Sequence, residues 1–256
     1  MSGFFNFNGL NTLANSYFSN KTNDSDSNGR RARLRPKPAA MNQIVGAGGN
    51  ILAPILNTNG MIWPYQPAIT YQQDVEYTQV PMVHTNQDFY AYAKTPSVKL
   101  TCEGEFTVQN QTEGLYALAC IHFLRTVTKM YFGQSANPGT PPPILLFDAY
   151  GQYMFNKLPV IITNFQANMP KEPDYVPIDL SLLGQNPQLD RQGLTNVFTT
   201  SSSGMLNSSA GSGYVWLPAI FNISVAMTVQ NTPSVLTTFN LDSFRNGSLL
   251  TGGGWI

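Results

Sequence analysis

Two stretches of the chain alternate apolar and polar residues with a period of two, and a third, between them, keeps the period of a helix. In "SVKLTCEGEFTV", Val98, Leu100, Cys102, Phe106 and Val108 fall on one side. Lys99, Thr101, Glu103, Glu105 and Thr107 fall on the other, and Gly104 interrupts the apolar row. The alternation predicts a long amphipathic strand. "AIFNISVAMTVQ" predicts another, with Phe221, Ile223, Val225, Met227 and Val229 opposite Asn222, Ser224, Ala226 and Thr228. In "NQTEGLYALACIHFLRTVTKMYFG" the period changes. At about 100° per residue, Tyr116, Ala117, Cys120, Ile121, Phe123, Leu124, Val127, Met130 and Tyr131 share one broad face. His122, Arg125, Thr126 and Lys129 lie opposite; Leu118 falls on that polar side and needs cover from a neighbour. The pattern predicts a helix over 112–132, with Gln111 or Thr112 as N-cap, Glu113 at the positive end and Gly133 as the stop.

The remaining apolar runs are shorter. "ILLFDAYGQYMFN" predicts a hairpin turning near Tyr150 and Gly151, and "LPVIITNFQAN" and "DYVPIDLSLL" predict further strands. Five or more antiparallel-type strands with one long helix define a mainly β or α+β sandwich or barrel, the helix capping one face. Residues 184–213 form a long loop, and loops of that size are usually functional or mobile. Both ends of the chain look like docking segments. Phe4, Phe5 and Phe7 begin it, and Phe239, Leu241, Phe244 and Trp255 stud the last twenty residues without an evident core to join. The expected organisation is a docking arm and flexible basic linker over 1–72, a β domain over 73–236 and a docking tail over 237–256.

Charge sharpens this picture. Only 11% of residues are charged, against about 25% in an average soluble protein. Such a surface suits a subunit covered by neighbours better than a free monomer. Residues 1–37 carry six basic residues, Lys21, Arg30, Arg31, Arg33, Arg35 and Lys37, against Asp24 and Asp26, giving +4. The rest of the chain is therefore −4, since the total is zero. An acidic body is a poor nucleic-acid binder, and only the arm has the charge for it. Two cysteines on apolar faces read as reduced thiols. No run approaches the ~20 apolar residues of a bilayer span, and "MSGFFNFNGL" lacks the basic start of a secretory signal. No membrane partner is expected, and a cytoplasmic setting is.

Candidate chemistry adds little. Cys120 and His122 stand about 160° apart on the helix and cannot form a thiolate–imidazole pair there. Glu103 and Glu105, two residues apart on a strand, have Cα atoms roughly 6.6 Å apart, a separation open to a glycosidase pair but far more common on an exposed strand face. His84 and His122 lack metal-ligand spacing. "GAGGN" lacks the phosphate-loop lysine, and "GQSANPG" lacks the final glycine of a nucleophile elbow. No catalytic, cofactor-binding or metal site is expected.

The succession of "EGEFTVQNQTEGLYALACIHFLRTVTKMYFG", "NPGTPPPILLFDAYG", "LPVIITNF", "DYVPI", "YVWLPAIFNISVAMTVQ" and "TTFNLDSFRNG" resembles the baseplate tail-tube junction proteins of contractile-tailed bacteriophages. These are the tube-initiator or tube-cap subunits between hub and tube. The resemblance covers about residues 75–247, and its most specific stretch is "HFLRTVTKMYFG" followed by "GTPPP". It implies a tail-tube-type β-sandwich or barrel with a flanking helix and extended terminal arms. It further implies a homo-hexameric ring in the virion baseplate, assembled in the host bacterial cytoplasm, that contacts hub proteins and the tail tube protein. Tape-measure protein and DNA would pass through the lumen without specific binding, and no enzymatic activity is expected. Glu103 and Glu105 are candidate lumen-facing residues; Phe4, Phe5, Phe7, Phe239, Leu241, Phe244 and Trp255 are candidate inter-subunit contacts. The alternative is a β-sandwich receptor- or glycan-binding virion protein, with Trp63, Tyr65 and Tyr71 as stacking platforms. A cell-wall-degrading enzyme using Glu103 and Glu105 comes third.

Overall fold

A computed structural model of the chain describes residues 30–45, 51–132, 139–171, 174–180 and 214–256. The alternating segments form the predicted strands: β6 (Lys99–Thr107) and β11 (Ile220–Val229) pair antiparallel, Cys102 opposite Val225 and Phe106 opposite Phe221. The rings of Phe106 and Phe221 stack, 5.5 Å between centroids. The hairpin turns where expected, with Tyr150 and Gly151 both at positive φ, between β7 (Leu145–Ala149) and β8 (Phe155–Asn168). β8 is continuous, so the hairpin's second arm and the strand expected after it are one element.

β1 (Arg33–Pro36) lies where a flexible linker is expected. Its alternation is legible only in hindsight: Leu34 and Pro36 are buried while Arg33 and Arg35 face the other way. β1 pairs with β7 and with β2 (Met61–Ile62). Adding β3 (Ala68–Gln72), which pairs with β6, gives a seven-stranded antiparallel sheet in the order β2-β1-β7-β8-β11-β6-β3. The two edge strands are consecutive in sequence. Laid flat, they would stand about 29 Å apart at ~4.8 Å per strand, yet residues 63–67 connect them, a link that reaches at most roughly 20 Å. The sheet must therefore curl toward closure. Tyr71 on edge strand β3 meets Phe155 at the start of β8, 6.1 Å between ring centroids.

Trp63 holds the two edges together. Its backbone N–H donates to Ala32 O (3.2 Å) beside β1, while its indole lies over Gly104 on β6, where a Cβ would collide with the ring. Trp63 is fully buried, so it cannot be a stacking platform for a ligand. The gap at Gly104 in the apolar row of β6 is the space this indole fills.

The helix, α3 (Gln111–Val127), follows α1 (Pro38–Val45) and α2 (Ala53–Asn57). Asn110, one residue earlier than expected, is its N-cap: Asn110 Oδ1 accepts from Glu113 N, and Glu113 Oε2 accepts from Gln109 N, each at 3.0 Å. This reciprocal arrangement satisfies donors at both sides of the cap. The helix stops five residues short of the expected end. The Thr126 hydroxyl donates back to His122 O (2.8 Å), and the Thr128 hydroxyl takes the Leu124 and Arg125 carbonyls of the last turn (3.0 and 3.1 Å). Met130 and Tyr131 consequently lie beyond the helix and are exposed. Tyr116, Ala117, Cys120, Ile121, Phe123, Leu124 and Val127 are buried, and Leu118 is covered as well. Gly114 lets the helix approach the two-stranded sheet of β9 (Tyr175–Asp179) and β10 (Tyr214–Pro218); a Cβ there would strike Ile178.

Two polar side chains of α3 complete strand edges. The Tyr116 hydroxyl accepts from Ile62 N (2.8 Å) and donates to Ile62 O (2.9 Å) on β2. Gln111 Nε2 donates to Asp179 O (2.8 Å) and its Oε1 accepts from Asp179 N (3.1 Å) on β9. Each supplies one donor and one acceptor, as a neighbouring strand would.

Candidate functional site

Because β6 and β11 bury one side against the core, their other residues make a continuous outer face with β3 and β8. The register sets it in rows: Ala68, Glu103, Ser224 and Gln166; Thr70, Thr101, Ala226 and Asn164; then Glu105, Asn222 and Asn168. A bulge between Ala226 and Met227 leaves Thr163 as the extra residue, its hydroxyl donating to Ala226 O (3.1 Å). Amides, hydroxyls and methyls dominate the rows. Glu103 and Glu105 are exposed on this face, as the alternation requires. The cation Lys99 sits at one end, 3.9 Å from Asp74. With two glutamates and one terminal lysine, such a face offers phosphates little to hold them. Among the described residues, no group of three or more His, Cys, Asp or Glu is placed to hold a metal. No described helix is long and apolar enough to cross a membrane.

A second surface lies outside the seven-stranded sheet. β4 (Glu76–Val80) and β5 (Phe89–Lys94) form a two-stranded ribbon that pairs with no other strand among the described residues. No residue from 71 to 97 is buried. Tyr77 and Tyr92 meet edge to face at 6.1 Å, and with Val80, Met82, Val83, Phe89 and Tyr90 they remain exposed. An isolated hairpin is marginally stable in water, and exposed apolar residues in this density mark a contact surface. This ribbon is not among the elements expected from the apolar alternation. Its signal was two β-branched and aromatic runs, "EYTQV" and "FYAYAK", on either side of the turn-rich "HTNQD".

The C-terminal candidates are brought together, but not as a free tail. Phe239 lies 5.8 Å from Phe244 and 5.2 Å from Trp255, ring to ring. They are carried by α4 (Pro233–Leu236), α5 (Leu241–Arg245), α6 (Ser248–Gly252) and the residues around them. The segment docks on β8: Asn156 Nδ2 donates to Thr251 O (2.9 Å) and Gly254 N to Asn156 O (2.8 Å). Ile256 packs on the core. Phe239 and Leu241 stay exposed. Phe4, Phe5, Phe7 and the loop 184–213 lie outside the described residues.

The cysteines are core residues. Cys102 and Cys120 are free and buried. Burial pushes the Cys102 thiol up to about 12 and raises that of Cys120 as well. Neither is the thiolate that nucleophilic chemistry needs. No family model matches the chain, and no curated protein matches it.

Proposed function

We propose that this chain is a structural subunit of a contractile phage tail, six copies forming the ring that joins the baseplate hub to the tail tube and templates tube polymerisation. The observation that carries this reading is the aromatic ribbon β4–β5, which has no buried residue in the single chain. A neighbouring subunit would supply the cover that its Tyr77, Tyr92, Phe89 and Tyr90 lack. The outer face of β8, β11, β6 and β3 suits the lumen in this arrangement. Its neutral amides and hydroxyls with Glu103 and Glu105 favour passage of DNA and tape-measure protein without adhesion. The low charge of the chain, 11%, fits a surface shared with copies above, below and beside it. Burial of Trp63 takes away one of the three platforms of the glycan-binding alternative, while Tyr65 and Tyr71 remain exposed.

The test is tube nucleation on baseplates lacking this chain. Adding the purified chain back restores tube growth if the reading is right. Equal tube growth with and without it contradicts the reading.

A further inference from the structure

Strand β1 sends Arg33 and Arg35 to the side opposite Leu34, and Arg31 joins them just ahead of it. All three guanidiniums line a cleft of about 270 Å³ with Asp148, Gly151, Gln152, Phe155 and Asn156. Register places Arg33 directly across from Asp148 on β7, yet that carboxylate is committed elsewhere. Asp148 Oδ2 pairs with Arg35 Nε at 2.9 Å, and Oδ1 accepts the backbone N–H of Lys157 at 2.8 Å. Arg33 makes no ion pair with any acidic side chain among the described residues. It is partly buried with Arg35 as a like-charged neighbour, and its affinity for its proton is lowered first by burial and then by Arg35. The Asp148 carboxylate across from it offsets part of this but is shared with Arg35, and a partly desolvated guanidinium that only shares a carboxylate gains from an entering anion.

We propose that this cleft binds a carboxylate of a docking polypeptide, an acidic side chain or chain end, with Arg33 as its principal partner. The Gln152 side chain lines the same cleft and can pair with a peptide backbone. A nucleic-acid backbone is the poorer occupant, because Arg31 is only 8% exposed and a duplex cannot bring its phosphates into so recessed a cleft. The site does not depend on the ring reading: it is built on β1 and the β7–β8 hairpin, away from the rows of the polar face.

The test follows the arginine Nε–H signals of the full chain by NMR, with the Arg33 signal identified by its loss in Arg33→Lys. Four probes are titrated: a short glutamate-containing peptide, its glutamine counterpart, inorganic phosphate and a DNA duplex. The proposal predicts that the glutamate peptide shifts the Arg33 signal and the glutamine peptide does not. Arg33→Gln, compared at equal thermal midpoint, should weaken that peptide by about tenfold or more, and Arg33→Lys by less, since it keeps charge but loses the fork. No Arg33 shift with the glutamate peptide overturns the proposal, as does a shift produced by phosphate or DNA alone. The titration of the unmodified chain decides this even if Arg33→Gln does not fold.

Discussion

Trp63 and Gly104 are a matched pair, since the indole occupies the volume that a side chain on β6 would take. Gly104→Ala should therefore lower stability by about 1–3 kcal/mol through overpacking. In a Trp63→Phe background the same change should cost less, with a coupling of at least ~0.5 kcal/mol in a urea-denaturation double-mutant cycle. Additive effects would mean that the ring and the glycine do not share one space. The thiols give a second residue-scale test. Unfolded, Cys102 ionises near its ordinary value of 9.0; folded, it holds its proton up to about 12. The folded state thus binds more protons between these values, so stability is fully present below pH 9 and falls as pH rises toward 12. The urea midpoint should be level near neutral pH and drop across that window, with a shallower drop in Cys102→Ala. An identical slope in the variant would show that this thiol contributes nothing. Tyr116→Phe leaves Ile62 N and O without the hydroxyl that serves both, and should cost about 1–3 kcal/mol by thermal or urea unfolding.

Among the elements, the difference between β6 and β1 explains what was legible in the sequence. β6, β11 and α3 each press one side on the core, so their burial period is written directly into residue order. β1 has only Leu34 and Pro36 on its inner side, and its outward arginines make it look like linker. Closure of the sheet through Trp63 was not legible, because it depends on which distant strands meet. The end of α3 was missed for a local reason: the Thr128 hydroxyl takes the Leu124 and Arg125 carbonyls of its last turn. The polar face was legible in advance, since Glu103 and Glu105 must oppose Cys102, whereas the ribbon β4–β5 was not, because it has no buried side to set a period. That ribbon carries its own prediction. Amides of 76–80 and 89–94 should exchange with deuterium rapidly in the isolated chain and slow markedly on assembly. Equal exchange rates in both states would deny it a role in contacts.

At the scale of the molecule, the described residues form a curled seven-stranded sheet with a helix on its flank, a polar outer face of low charge and an exposed aromatic ribbon. Those surfaces make sense together if the ribbon is covered by sibling subunits while the polar face is left open to a channel. The most direct measurement is the position and orientation of this chain in an intact particle, by electron cryomicroscopy of the baseplate. The account predicts six copies around the central channel, with Glu103 and Glu105 on its inner wall and each ribbon packed on a neighbour. Copies away from the axis, or a ring with both glutamates on its outer wall, would contradict it.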